Sequence, residues 1–237
     1  MGGILNADQN RFDRQESLVP RDRLCETSVT IIGLGAIGRQ VALQLASIGV
    51  TQLQLIDFDT VESTNITTQG YRRDEIGQTK VNATASEVRR IDPTITVDCI
   101  NDRFRSKHQV GQVLFCCVDK IATRSTIWRC LQHRIDLLND TRMNGETLRL
   151  VTAEPSRSHS SYESTLFSPS DAHAGACTAK STIYAASIAA GLAVHQFTRW
   201  LRDMPLDQDT IVSLLAGEIS VSPTITAQGE LHQPSFQ

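Results

Sequence analysis

The chain has 237 residues, 40% of them apolar and 21% charged, which is enough for one large domain with a buried core. A formal net charge of −3 and a pI near 6.1 argue against a general nucleic-acid or membrane-surface binder, which carries a basic face, although a local basic patch is compatible with them. No apolar run approaches the roughly 20 residues of a membrane span, and the opening MGGILNADQNRFDRQ lacks the basic start and apolar stretch of a signal peptide, so a cytoplasmic location is expected.

Residues 1–28 read as an N-terminal helical arm. Residues 29–32 (VTII) read as a short buried strand, after which Ile37, Val41, Leu45 and Ile48 recur at helical spacing until Gly49 stops the helix. Residues 53–56 form a second strand. Val81, Ala85, Val88 and Ile91 make a helical stripe broken at Asp92-Pro93. Ile95, Val97 and Cys99 alternate as a strand, and residues 113–118 are a continuous apolar run of the kind found in central parallel strands. Residues 121–133 read as helix and 135–138 as a further strand. Alternating strands and helices predict an α/β fold, a doubly wound, Rossmann-like, mostly parallel sheet with helices on both faces.

Residues 155–176 break this rhythm with serines, two prolines and little apolar periodicity, and read as a long mobile crossover loop. Residues 178–202 are Ala-rich and predict one long buried helix, and residues 223–237 form a polar tail with the composition of a disordered segment. None of the six cysteines forms a Cys-x-x-Cys pair, which argues against a four-cysteine zinc site. Cys99, Cys116, Cys117 and Cys130 sit in apolar segments and read as small buried hydrophobes in a reducing compartment. Cys177 differs: it stands where the loop meets the long helix, with Lys180 one turn on, a setting that favours the thiolate. A partly buried, inert helix-start cysteine is the alternative.

Gly33-Leu34-Gly35-Ala36-Ile37-Gly38 is a G-x-G-x-x-G between a strand and a helix. The glycines let backbone approach phosphate, and the helix N-terminus offers unpaired N–H groups. Asp57, at the end of the second strand, is suited to accept hydrogen bonds from ribose hydroxyls. By spacing alone the nucleotide could be NAD.

The next segment points elsewhere. Asp57-Phe58-Asp59-Thr60-Val61, then Asn65 and Gln69, then Gly77-Gln78-Thr79-Lys80 resemble the hallmark of the ThiF/MoeB/HesA family, which includes the activating enzymes for ubiquitin-like proteins. Arg11-Phe12-Asp13-Arg14-Gln15 matches its R-[YF]-x-R-Q element, and Asp119 to Arg124 its strand-end D-x-x-x-x-R. The matches are collinear from residue 11 to about 124 and extend through the helical region to about 202. The resemblance implies an ATP-binding adenylating domain over residues 29–222, a homodimer, and Mg²⁺ as cofactor. It implies Lys80 at the phosphates, Asp119 as the magnesium-associated aspartate, Asp59, Asn65 and Gln69 around the nucleotide, and Arg14 reaching the partner subunit's triphosphate. It further implies a small ubiquitin-like or sulfur-carrier protein with a Gly-Gly-type tail as substrate, a conjugating enzyme as a further partner, and thioester or acyl-disulfide formation on Cys177.

Each of these side chains also has a plainer reading: Arg14 as a solvated charge, Lys80 as a helix start, Asp119 as a helix N-cap, and Arg124 as an internal ion-pair partner. Where the family pattern has arginine this chain has Thr68, which leaves the phosphate charge to another cation, Arg72 and Arg73 being near, or weakens catalysis. Two other functions keep the fold. One is a dehydratase of the tRNA threonylcarbamoyladenosine type, which activates a small carboxylate on RNA; the other is a docking protein without turnover.

Overall fold

The computed structural model describes residues 11–155, 162–166 and 181–222, and the backbone of the short strands at 224–225 and 231–232. The strands β1 (Ser28–Ile32), β2 (Gln52–Ile56), β3 (Thr96–Ile100), β4 (Val113–Cys116), β5 (Leu137–Asn144), β6 (Thr147–Ala153), β7 (Asp209–Ser213) and β8 (Glu218–Val221) form one sheet in the order β3-β2-β1-β4-β5-β6-β7-β8. β1 to β5 pair in parallel, and β5 to β8 continue as an antiparallel run. Beyond it, β9 (Thr224–Ile225) and β10 (Leu231–His232) pair antiparallel.

Strand side chains alternate between two cores, as the period of two requires. On one face Val29, Ile31, Leu53, Leu55, Val113 and Phe115 pack under α2 (Ala36–Ile48), α4 (Lys80–Ile91) and α6 (Ile183–Leu201). On the other, Ile32, Ile56, Leu114, Cys116 and Leu138 meet Ile127, Trp128 and Leu131 of α5 (Ile121–Leu131). The sheet is therefore covered by helices on both faces. Small residues line the first face: Ala185, Ala186, Ala189, Ala190 and Ala193 are buried along α6, which lets it lie close to α2.

The N-terminal arm consists of a 3₁₀ turn (Asp13–Gln15) and α1 (Arg21–Glu26). It docks on the C-terminal end of α2. The Gln15 amide donates to Ile48 O (2.8 Å), Arg21 donates to Gly49 O (2.5 Å), and the Phe12 ring lies between the guanidinium groups of Arg11 and Arg21 at 4.3 and 4.1 Å. Arg11 also pairs with Asp92 just beyond α4. The remaining helix, α3 (Asn65–Gln69), is a single short turn closed by Gly70 at φ 75°.

Candidate active site

A cleft of about 710 Å³ opens at the carboxyl ends of β1, β2, β3 and β4, where a doubly wound sheet places its ligand. Of the residues singled out from sequence, Gly33, Gly35, Asp57, Asp59, Gln69, Lys80 and Asp119 line it. They come from the ends of three strands and the starts or ends of two helices, so the topology gathers them.

The three glycines divide into two kinds. Gly33 has φ 91°, and a Cβ there would stand 2.8 Å from Cys117 O. A Cβ on Gly38 would stand 1.8 Å from Gly33 O, so Gly38 lies behind the cleft wall and lets α2 approach the loop. Around Gly35 a Cβ would meet nothing within 4 Å. Gly35 is thus the position at which a bare backbone faces open space, at the N-terminus of a 13-residue helix.

The loop is held from both sides at Leu34. Its N–H donates to Asp57 Oδ2 (2.6 Å), and its carbonyl accepts from the buried Tyr71 hydroxyl (2.8 Å). Asp57 Oδ1 accepts from the Asp59 N–H (2.7 Å), so this carboxylate clamps the β1 and β2 loops together while lining the cleft. Burial pushes the Asp57 carboxyl above its usual value; its two backbone donors and Lys80 oppose the rise, and Asp59 adds to it. Tyr71 in turn lies under the Arg39 guanidinium (4.0 Å), which donates to both oxygens of buried Glu75 (3.1 and 2.9 Å) and to Gly70 O. Sequence reasoning passed over Arg39 and Tyr71. The signal was an arginine directly after the third glycine of the loop.

Lys80 opens α4 behind the N-cap Thr79, and its ammonium pairs with Asp59 Oδ2 (3.1 Å). The lysine is 6% exposed, whereas the Asp59 side chain is 47% exposed. The side-chain oxygen of Gln69 is buried on the cleft wall with no hydrogen-bond partner among the described residues. Asp119 is exposed in the cleft and makes no hydrogen bond among the described residues; the N-cap of α5 is Lys120, so Asp119 does not cap that helix.

Other expected residues stand elsewhere. Asn65 Oδ1 accepts from the Glu62 N–H (2.9 Å) and shapes the turn before α3, outside the cleft lining. Thr68 donates to Thr64 O within α3 (2.9 Å). Arg72, a candidate to replace the missing arginine, is committed to Asp74 and Glu87, and neither it nor Arg73 lines the cleft. The cations that do line it besides Lys80 are Arg103 and Lys120, both passed over in the sequence. Arg124 is internal: it pairs with buried Asp140 and donates to the carbonyls of Cys116, Val118 and Thr141, fixing the segment that carries Asp119. Burial pushes the Cys117 thiol, on the cleft wall, well up, which leaves it a poor nucleophile. Arg14 is exposed on the 3₁₀ turn of the arm. Cys177 lies outside the described residues.

The chain is similar to known proteins. The model of the ThiF family matches residues 9–222. The chain is 30% identical over 160 residues to the molybdopterin-synthase adenylyltransferase of Salmonella typhimurium, covering 62% of this chain and 64% of that relative. It is 35% identical over 77 residues to ubiquitin-like modifier-activating enzyme 5 of Arabidopsis thaliana, covering 32% of this chain and 18% of that relative. The chain thus spans less than two thirds of the length of either. A crystal structure of Escherichia coli MccB with ATP is similar in fold, with a TM-score of 0.71 and 18% identity, covering 90% of this chain and 71% of that one.

Proposed function

Since the chain belongs to the ThiF family, we propose that it adenylates the C-terminal carboxylate of a small ubiquitin-like or sulfur-carrier protein at the expense of ATP. The observation that carries this reading is the pairing of a nearly buried lysine with open backbone: Lys80 and Gly35 line one cleft, and the unpartnered oxygen of Gln69 lies on its wall. A triphosphate needs a fixed cation and bare N–H groups, and this cleft has both.

In the proposed reaction a carboxylate oxygen of the tail attacks the α-phosphorus. The bond between that phosphorus and the α,β-bridging oxygen breaks, pyrophosphate leaves with the electron pair, and an acyl-adenylate remains. No proton needs to move in this step. Catalysis therefore rests on alignment and on charge neutralisation. Lys80, already close to Asp59, exchanges part of that pairing for phosphate oxygens. The Asp57 clamp keeps the glycine loop from yielding as charge accumulates. Asp119 is the carboxylate that would hold Mg²⁺, whose chemistry here is to neutralise charge on the phosphate oxygens.

Arg14 supports a homodimer as the working unit. The arm that carries it docks at the C-terminal end of α2, whereas the glycine loop sits at the N-terminal end of that helix. A helix of 13 residues is about 20 Å long, beyond the reach of an arginine side chain. That distance supports Arg14 serving a second copy rather than its own cleft. Transfer of the acyl group to Cys177, and a conjugating enzyme downstream, would follow adenylation.

The reading is tested by incubating the chain with Mg-ATP and candidate small proteins ending in Gly-Gly, and weighing each protein intact. An added adenylate on the tail supports it. ATP binding without an adduct on any tail, but with turnover on tRNA, would replace it with the dehydratase reading.

A further inference from the structure

One pairing in the cleft is not used by the steps above. Phe58, which follows β2, is 50% exposed although it lines the cleft. The guanidinium carbon of Arg103, which follows β3, lies 4.1 Å from the centroid of the Phe58 ring, and Arg103 lines the same cleft. The Arg103 side chain makes no hydrogen bond or ion pair among the described residues. Its neighbour Asp102 is occupied by the Arg103 backbone N–H (2.7 Å) and by the Arg105 guanidinium (3.4 Å). An arginine braced by a ring alone keeps its plane fixed and its donors uncommitted.

The order of the strands says what stands over that plane. Moving outward from the phosphate loop, the sheet runs β1, β2, β3. The glycine loop leaves β1, Asp57 and Phe58 leave β2, and Arg103 leaves β3. Neighbouring strands are about 4.8 Å apart, so the ends of β1 and β3 are separated by roughly 10 Å. A nucleotide with its phosphates over the glycine loop and its ribose at Asp57 spans about that distance, and its base falls at the end of β3.

We propose that Arg103, braced on Phe58, is the stacking platform for the purine base, with its guanidinium plane covering one face of the ring. This rests on the reading that the cleft binds ATP. It assigns Arg103 to the base and not to the phosphates, so it does not replace the arginine absent at Thr68. Its role is positioning: a base held flat fixes the ribose and with it the α-phosphorus.

The test is calorimetric binding of ATP and of inorganic tripolyphosphate, which has no base, to the full chain and to its R103A and R103K variants. Arg103 is exposed, so both variants should fold and melt like the parent. The expected result is a loss of roughly tenfold in ATP affinity in both variants, as for removal of one stacking partner, with tripolyphosphate binding within about twofold of the parent. R103K is decisive because it keeps the charge and removes the plane. Parental ATP affinity in R103K, or an equal loss for ATP and tripolyphosphate in R103A, would make Arg103 a phosphate cation and overturn the proposal. Unchanged ATP affinity in R103A would also overturn it. Failure of the parent itself to bind ATP is a different result and would remove the nucleotide reading on which the proposal stands.

Discussion

Lys80 is a nearly buried cation whose ammonium already faces a half-exposed carboxylate, so its charge is in position before a phosphate arrives. Removing one preorganised charge of this kind costs roughly 10²–10³-fold in rate. Lys80→Ala should therefore lose about that much adenylation while still folding, as circular dichroism and a rate assay would show together. Asp92 has a structural task. Burial alone would raise its carboxyl, but the Thr94 N–H and hydroxyl (2.9 and 2.7 Å) and Arg11 more than reverse this and leave it below the usual value. A carboxyl lowered in the folded state stabilises above its unfolded pKa near 3.9, and that contribution is lost as pH falls through the folded value. Asp92→Asn should thus lower the melting temperature at pH 7 by about 2–4 °C for a loss of about 1 kcal/mol. The gap should close once the pH falls below the lowered folded value. A gap that persists in acid would mean that packing of the arm, and not charge, sets the difference. At this scale Asp57, Asp59, Asp119 and Lys80 were legible, because strand ends, helix starts and the collinear family motif mark them; Asp102, which also lines the cleft, was not. Phe58 with Arg103 was not, since nothing in local sequence says that loops after adjacent strands will stack. Nor was Arg124's partner, Asp140, which the sheet brings beside it from the next strand.

The glycine loop is the element in which sequence and packing can be separated by experiment. Gly38→Ala would drive a Cβ against Gly33 O and should destabilise the fold by about 1–3 kcal/mol, as other overpacked sites do. Gly35→Ala meets nothing in the protein, so its stability should change by no more than about 1 kcal/mol, yet ATP affinity should fall by about tenfold or more as the methyl occupies the phosphate approach. Thermal melts and ATP titrations of the two variants distinguish them. Equal stability losses in both would contradict the assignment of Gly35 to ligand. The parallel half of the sheet was readable because buried strands carry continuous apolar runs between helical stripes. The antiparallel half was not read. β6 alternates as Thr147-Leu148-Arg149-Leu150, a strand pattern that lies just before the Ser-rich stretch, and β8 has every side chain exposed, so no hydrophobic signal marks it. α6 begins at Ile183 among the described residues, behind the Thr182 N-cap, where the Ala-rich composition set the start at 178.

At the scale of the whole molecule, the sheet order and the docking of the arm separate Arg14 from the cleft of its own chain by the length of α2. If each cleft borrows Arg14 from a second copy, Arg14→Ala and Lys80→Ala chains should each be inactive alone and complement when co-expressed. Random pairing in a two-fold dimer makes half the dimers mixed, with one intact cleft in each, so about a quarter of the parental sites should be restored. No recovery, with mixed dimers present, would place Arg14 outside the reaction. The family could be anticipated from collinear motifs and the fold from alternating strands and helices, and both place a cleft at the strand ends. Which small ubiquitin-like protein the proposed reaction would take could not be anticipated, because a selecting surface has no fixed spacing in the sequence. The central claim is carboxyl activation, and exchange of labelled pyrophosphate into ATP reads it most directly. Exchange that requires a small protein with a free Gly-Gly carboxylate, and that falls about 10²–10³-fold in Lys80→Ala, is the predicted result. ATP binding with no exchange for any such protein, or exchange indifferent to Lys80, would contradict it.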